Sequence, residues 1–582
     1  MYRSALPILV IALSLAACGG GSPSAQSTSS GAGGASSESQ GSTGGTGGTG
    51  STSSTTASTS TTTSSTSSTG SGPMNSVCEA LGLPAAPFAV GPYGSARGDL
   101  AGDFTLPTLA GDWGFQASFT GCETLVVIPD VTPYTKGFSK GLWDQDAAEL
   151  LAKSPNNVHY FFVVTSTADA TTALTRLTAL KGQMDTALAA RPEPERDAWT
   201  RRLHYVNKPA AALTGWASAL LKSPGVGFGI DHFQRIRELG SPSDPARYDQ
   251  QQGWFAPNLS FVAYEARAYE FAWKREEALS AEKKVLVIPV LNDKTATATH
   301  EGDASFPDPE TMKLFDTMEL DLSLGCEPGT ESSACPPWDY ITRLTLCDEA
   351  DVTRCGTEVG RFITPYAREG RWVTDESPML ALFAGGGTRH LRWNSQNAYR
   401  VKLEIRLSNS GKGSSPKEAT FLFAGGDFNA TYNDHYAPKT VAIPADAKRV
   451  ELYATITGHG WGAEVDNCAE FCAHEHHFTV NGKEYVKQNP AVGSDTGCAD
   501  AVDRGALPNQ FGTWFYGRGG WCPGLDVAPW VVDVTSQVKM GQDNVFTYKG
   551  LLNGAPYVPK PSGSGQGFGA NIDMVSYVVV SK

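Results

Sequence analysis

The chain has 582 residues, with 46 Lys and Arg against 60 Asp and Glu, a formal net charge of −14. That balance argues against nucleic acid as a partner, because phosphate binding needs basic surface. It carries no information about fold. The low charged fraction owes much to residues 19–73, which are almost wholly Ser, Thr and Gly, with Glu38 the only charge.

Residues 1–17 read as a secretory signal: Arg3, an apolar run from Leu6 to Ala17, and small residues before Cys18. The run is too short for a transmembrane span. A cysteine at the cut resembles the bacterial lipoprotein signal. That resemblance implies a diacylglycerol on Cys18, acylation of its freed amine and anchoring to a membrane. Gly19, where an aspartate would mark inner-membrane retention, points to the outer membrane or cell surface. Cleavage and secretion without lipid is the plainer alternative. Residues 18–73 cannot bury apolar surface and read as a disordered tether, its ends on the order of 40 Å apart as a flexible coil.

Without Cys18, ten of the eleven cysteines remain. An even count in an exported chain favours disulfides over thiols or zinc. Closeness in sequence suggests the pairs Cys78–Cys122, Cys326–Cys335, Cys347–Cys355, Cys468–Cys472 and Cys498–Cys522, although the count alone admits other connectivities. Residues 74–582 suffice for three domains.

Residues 74–282 alternate strand and helix patterns. Leu125–Ile128 and Tyr160–Val164 are short apolar runs of the buried-strand kind. Asp146–Lys153, Ala168–Ala190 and Ser260–Lys283 carry helical spacing. The mixture predicts an α/β domain. Asp103–Pro107 and Gly229–Arg237 resemble segments of thioredoxin-like and peroxiredoxin domains. No Cys-x-x-Cys accompanies them, so packing or partner recognition, rather than redox chemistry, is the expected role.

The pattern changes after Lys284. Val285–Ile288 opens a region of short strands separated by Gly, Asn and Asp turns. Met318, Leu320, Leu322 and Leu324 alternate, as do Val401, Leu403, Ile405 and Leu407, the period of half-buried strands. Phe421–Phe423 and Val575–Val580 read as further strands. Two all-β sandwiches of the jelly-roll kind are predicted, residues 283–430 and 431–582. In the second, Cys468-Ala469-Glu470-Phe471-Cys472 brackets one glutamate, with His474 and His476 just beyond. In a reducing compartment this spacing would read as a zinc site. In an exported chain it reads as a small disulfide loop holding Glu470.

Several separated motifs then carry a specific resemblance. Cys326, Cys335, Trp338-Asp339 and Gly360–Tyr366 resemble the amino-terminal half of the peptide-N-glycosidase F family. Cys468–Cys472 and Arg518–Gly524 resemble its carboxy-terminal half. The likeness covers roughly residues 300–582, and that family's three disulfides all have counterparts. The resemblance implies two adjacent jelly rolls with an active site in the cleft between them. It implies hydrolysis of the amide joining N-acetylglucosamine to asparagine in N-glycosylated proteins or peptides, with no cofactor and no metal. Such an amide is a poor electrophile. Its hydrolysis needs a base to activate water, a proton for the departing amine and donors for the charge on the carbonyl oxygen.

By that resemblance Asp339 matches the essential aspartate, which activates water or contacts the amide. Glu470 matches the glutamate in the disulfide loop, and Glu404 takes a third carboxylate's place on a strand. Arg518 matches an arginine near the carbonyl, and Trp338 forms part of the sugar-facing wall. A turn aspartate, a solvated strand face and a core tryptophan are the bland alternatives for Asp339, Glu404 and Trp338. The chain departs from the pattern at Tyr340 (an arginine in the family), Arg406 and Phe471 (tryptophans) and at the extra pair Cys347 and Cys355. These departures bear on substrate preference. Two rival readings stand beside the amidase: a glycan-binding jelly-roll protein, and a copper monooxygenase-like enzyme built on His474 and His476.

Overall fold

The computed structural model describes residues 74–130, 141–221, 227–292 and 295–582. The signal, Cys18 and the tether lie outside the described residues. Five disulfides join Cys78 to Cys122, Cys326 to Cys335, Cys347 to Cys355, Cys468 to Cys472 and Cys498 to Cys522. They are consistent with export to an oxidising compartment. Among the described residues, no helix is long and apolar enough to cross a membrane.

The first layer is α/β. Its sheet runs in the order Leu203–Tyr205, Val158–Val163, Thr124–Pro129, Phe228–Ile230, Ile236–Glu238. The first three strands are parallel and the last two antiparallel to their neighbours. Both faces are covered, which is why the strands read as unbroken apolar runs rather than alternating ones. Val126, Ile128, Tyr160 and Phe162 face one core with helices Ala147–Lys153, Ala170–Ala189 and Ala263–Ala281. Leu125, Val127, Phe161 and Val163 face the other, with Phe104, Phe115 and Leu213. Helix Ala170–Ala189 forms where its sequence predicts. Asp169 caps it by accepting from the Thr172 amide, and Ala173, Leu177, Leu180, Met184 and Leu188 make one buried stripe. Each such large side chain contributes roughly 1.5–3 kcal/mol by leaving water. The Gly229–Arg237 motif is the last hairpin, and Asp231 ties its turn by accepting from the Phe233 and Arg235 amides.

The second layer is a sandwich around strand Gly387–Ser408. This strand serves two sheets. Its first half pairs with Thr297–Phe306 and Ile341–Cys347, and its second half with Leu286–Asn292 and Thr317–Gly325. Val401, Leu403, Ile405 and Leu407 point into the core with Met318, Leu320, Leu322 and Leu324, as the alternation predicts.

The third layer is two four-stranded sheets. One has the order Pro416–Asp427, Phe568–Ser581, Arg449–Trp461, Trp530–Asp533. The other has Lys439–Ile443, Gln542–Leu552, His474–Val480, Lys483–Gln488. Strand Pro416–Asp427 pairs with the last strand of the chain, and its Leu422 and Phe423 sit in this sandwich's core. The expected boundary near 430 therefore moves back to residues 409–415. Hydrophobic alternation shows which face of a strand is buried, not which sheet claims it. The exchange also runs the other way. Strand Leu525–Asp526 adds to the second layer by pairing with Cys355–Ile363, and Cys498 and Cys522 belong to that layer's core.

Candidate active site

Arg518 lies at the junction of the two sandwiches and is buried. Its Nε donates to Glu470 Oε1 at 3.1 Å, and its Nη2 forms an ion pair with Asp339 Oδ2 at 3.4 Å. The same Nη2 donates to the Tyr366 hydroxyl at 3.3 Å and to Thr513 Oγ1 at 3.2 Å. Nη1 reaches the Thr513 and Tyr516 carbonyls. The guanidinium also lies over the Phe471 and Trp521 rings, 5.4 and 4.8 Å from their centroids. Asp339 comes from the turn before Ile341–Cys347, Glu470 from the disulfide loop and Arg518 from the turn before Cys522. Two carboxylates from different sandwiches thus share one cation.

Backbone packing sets the Glu470 loop. Ala469 sits at φ 66°, in the left-handed region that side chains rarely adopt. Its carbonyl is approached by Gly458 and Gly519, and a Cβ on either would fall about 2 Å from that oxygen. Gly519 N donates to the Glu470 carbonyl at 2.7 Å, and Gly458 N to the Gly519 carbonyl at 2.6 Å. Gly460 N donates to Glu470 Oε2 at 3.1 Å. The disulfide loop and the arginine turn are therefore fastened through main chain, and neither carboxylate oxygen of Glu470 lacks a donor.

Burial pushes the Glu470 carboxyl up to about 7; Arg518 opposes the rise and Asp339 adds to it. Burial also raises Asp339, against the pull of Arg518 and a hydrogen bond from Tyr366. Burial and the neighbouring Asp339 both favour a proton on Glu470, so the two acids are coupled through Arg518. His459, stacked on Trp521, stays neutral because burial drives it down to about 3.

Trp338 is half-exposed beside Asp339, and its carbonyl accepts from Thr364 Oγ1 and Asn397 Nδ2. Trp461, next to Gly460, is similarly exposed and lies opposite Phe568. The Tyr340 carbonyl accepts from Thr364 N, and its amide donates to Thr364 Oγ1. Elsewhere between the sandwiches a cavity of about 520 Å³ is lined by Arg343, Glu358, Arg392, Asn394, Gly426 and Asp573, among others, and by neither Asp339, Glu470 nor Arg518.

Glu404 does not join this group. It pairs with Lys402 at 3.0 Å, opposite Asp321 and Pro289. About 20 Å of extended strand separates it from Asn397, which touches the Trp338 carbonyl. Arg406 stands farther along, held by Glu282 and Glu319, so it borders no substrate cleft at Asp339. Their assignment rested on strand position, and alternation fixes a face but not a place along a strand. Tyr366, Thr513 and the Gly460 amide were missed as partners of the charges. Tyr366 is the last residue of the Gly360–Tyr366 motif, and that motif is its signal in the sequence. Thr513 and Gly460 carry no signal of their own.

His474 and His476 point inward. Nδ1 of His474 is 3.1 Å from the Cys472 carbonyl, and Nδ1 of His476 is 2.8 Å from the Tyr548 hydroxyl. Burial lowers both, His474 to about 4. Among the described residues, no three His, Cys, Asp or Glu are grouped to hold a metal ion.

Two carboxylates and an arginine between paired β-sandwiches make a buried, proton-holding charge cluster. Residues 427–579 match the family model described as peptide-N-glycosidase F, C terminal. The carboxy-terminal sandwich is thus similar to the peptide-N-glycosidase F family. Peptide-N(4)-(N-acetyl-β-D-glucosaminyl)asparagine amidase F of Elizabethkingia miricola is 24% identical over 272 residues, covering 43% of this chain and 71% of the relative. Among solved structures, PNGase F of Flavobacterium meningosepticum, described as a glycosylasparaginase, is 18% identical. It matches 52% of this chain and 96% of its own, with a TM-score of 0.40. PNGF-II is 12% identical over 62% of this chain and 75% of its own, with a TM-score of 0.37.

Proposed function

We propose that this protein hydrolyses the amide between N-acetylglucosamine and asparagine in N-glycoproteins or glycopeptides, leaving aspartate and releasing the glycan as a glycosylamine. The observation that carries this reading is the convergence of Asp339 and Glu470 on Arg518, with Glu470 poised near neutral pH. Asp339, whose carboxyl burial raises while Arg518 and Tyr366 oppose the rise, activates the attacking water from its ionised form. Glu470 supplies the proton to the departing nitrogen, or binds the amide with its proton in place. Arg518 faces the charge that develops on the carbonyl oxygen. Trp338 and Trp461 offer rings for sugars to stack on.

The same reading takes 74–282 as a thioredoxin-like unit without redox cysteines, and 283–582 as paired jelly rolls. It takes the protein as a lipoprotein anchored through Cys18 at the outer membrane or cell surface. Incubating the protein with an N-glycopeptide and weighing the products by mass spectrometry tests the activity. Intact glycan and a peptide with aspartate at the former asparagine are expected. Cleavage that leaves one N-acetylglucosamine on the peptide would refute it. The half-exposed Trp338 and Trp461 favour glycan binding without turnover as the second reading, which saturable binding with no product would support.

A further inference from the structure

The segment 509–516 supplies Arg518 with three of its acceptors, the Thr513 hydroxyl and the Thr513 and Tyr516 carbonyls. The α/β layer grips this segment along its length. At its start, the Asn509 carbonyl accepts from Ser241 N at 2.6 Å. Asn509 Nδ2 donates to the Phe261 carbonyl at 3.0 Å and to Glu265 Oε1 at 3.2 Å. The approach is so close that a Cβ on Gly240 would fall 1.8 Å from the Asn509 carbonyl oxygen. In its middle, Trp514 and Phe515 are buried, with Tyr264 edge-on to Trp514 at 6.0 Å and Phe255 edge-on to Phe515 at 5.0 Å. Phe255 also meets Tyr516. Tyr366, which contacts both Arg518 and Asp339, belongs to the same apolar cluster as Phe255, Phe261 and Tyr264.

We propose that the α/β layer is a brace for the active site. Phe255 and Tyr264, with Ser241 and Glu265 acting on Asn509, hold segment 509–516 where Thr513 and Tyr516 receive Arg518, and so fix the guanidinium between Asp339 and Glu470. These are positioning residues, since none touches a reacting atom. The activity arm of the proposal rests on the amidase reading, and the conformational arm does not. Interlocked main chain across the contact favours a fixed support over a module that docks and leaves.

Phe255→Ala, Tyr264→Leu and the conservative Phe255→Leu test this in the full chain, by hydrogen–deuterium exchange and by glycopeptide kinetics. In Phe255→Ala and Tyr264→Leu, amides of 509–518 lose protection while those of 401–407 keep theirs. The value of kcat falls about 10- to 100-fold, as displaced catalytic groups do, with KM little changed. The pH limb assigned to Glu470 moves upward, because Arg518 no longer holds it down. Phe255→Leu retains most of both properties. Unchanged exchange at 509–518 in both truncations would overturn the brace, as would full turnover despite lost protection. An inactive wild type counts against the amidase reading alone, since the exchange experiment still decides the brace. Should Phe255→Ala not fold, Tyr264→Leu carries the test.

Discussion

Arg368 and Arg518 are both buried, and each binds two carboxylates from separate parts of the chain. At Arg368 the partners are Glu265 of the α/β layer and Glu331 of the first sandwich, at 2.8 and 2.9 Å. The Pro508 and Glu238 carbonyls take further donors. Glu265 is 1% exposed, and the group is sealed. At Arg518 the Asp339 contact is longer, and 17% of the aspartate side chain meets solvent. A sealed pair repays its desolvation only through geometry and serves as a strut. A pair with one acid open to water and the other titrating near 7 is equipped for proton transfer. Counting charges does not separate strut from site; access and slack do.

The widest predicted separation between the two arginine centres is Asp339→Asn. It should cut turnover by about 10²–10⁴-fold with the thermal midpoint held, as read by glycopeptide kinetics and circular dichroism. Arg518→Gln should lower kcat by about 10²–10³-fold, the usual cost of a lost oxyanion donor. It should also move the Glu470 limb above 7, because Arg518 is what holds that group down. A limb that moved downward would break the assignment. Arg368→Met should act through stability, costing about 3–5 kcal/mol in urea unfolding by leaving Glu265 and Glu331 unpaired.

Glu470 gives the site a pH signature in stability too. Its proton is held more tightly folded than unfolded, so stability is full below about 4.5 and is lost as pH rises toward about 7. Glu470→Gln should flatten that window in a pH series of unfolding midpoints. The smallest effect is reserved for Glu404→Gln, which removes a partly exposed strand-face pair worth about 0.2–1 kcal/mol. It should leave kcat within about twofold. A large loss there would restore Glu404 to the chemistry.

Local rules made much of this molecule legible. The runs Leu125–Ile128 and Tyr160–Val164, the stripe on Ala170–Ala189 and the alternations at 318–324 and 401–407 each state their burial directly. The motifs around Asp339, Glu470 and Arg518 were legible as a set. Their meeting depends on Gly458 and Gly519 closing on the Ala469 carbonyl. Strand Pro416–Asp427 went to the wrong sandwich because pairing with the chain's last strand is a contact over long sequence separation. The strand position of Glu404 and Arg406 misleads because a 22-residue strand passes through two sheets, and it is Asn397, well before them, that touches the Trp338 carbonyl. The grip of Phe255 on Phe515 left no trace in pattern, since an aromatic in a hairpin reads the same whether it faces its own core or another layer.

In the proposed reaction, water attacks the amide carbonyl of a glycosylated asparagine. Its most direct test is turnover of an N-glycopeptide in ¹⁸O-labelled water, with the peptide product weighed and fragmented. One heavy oxygen is expected in the side-chain carboxyl of the new aspartate, and none when Asp339→Asn replaces the wild type. A peptide that keeps its asparagine, with or without one sugar, or an aspartate that carries no label, would contradict it.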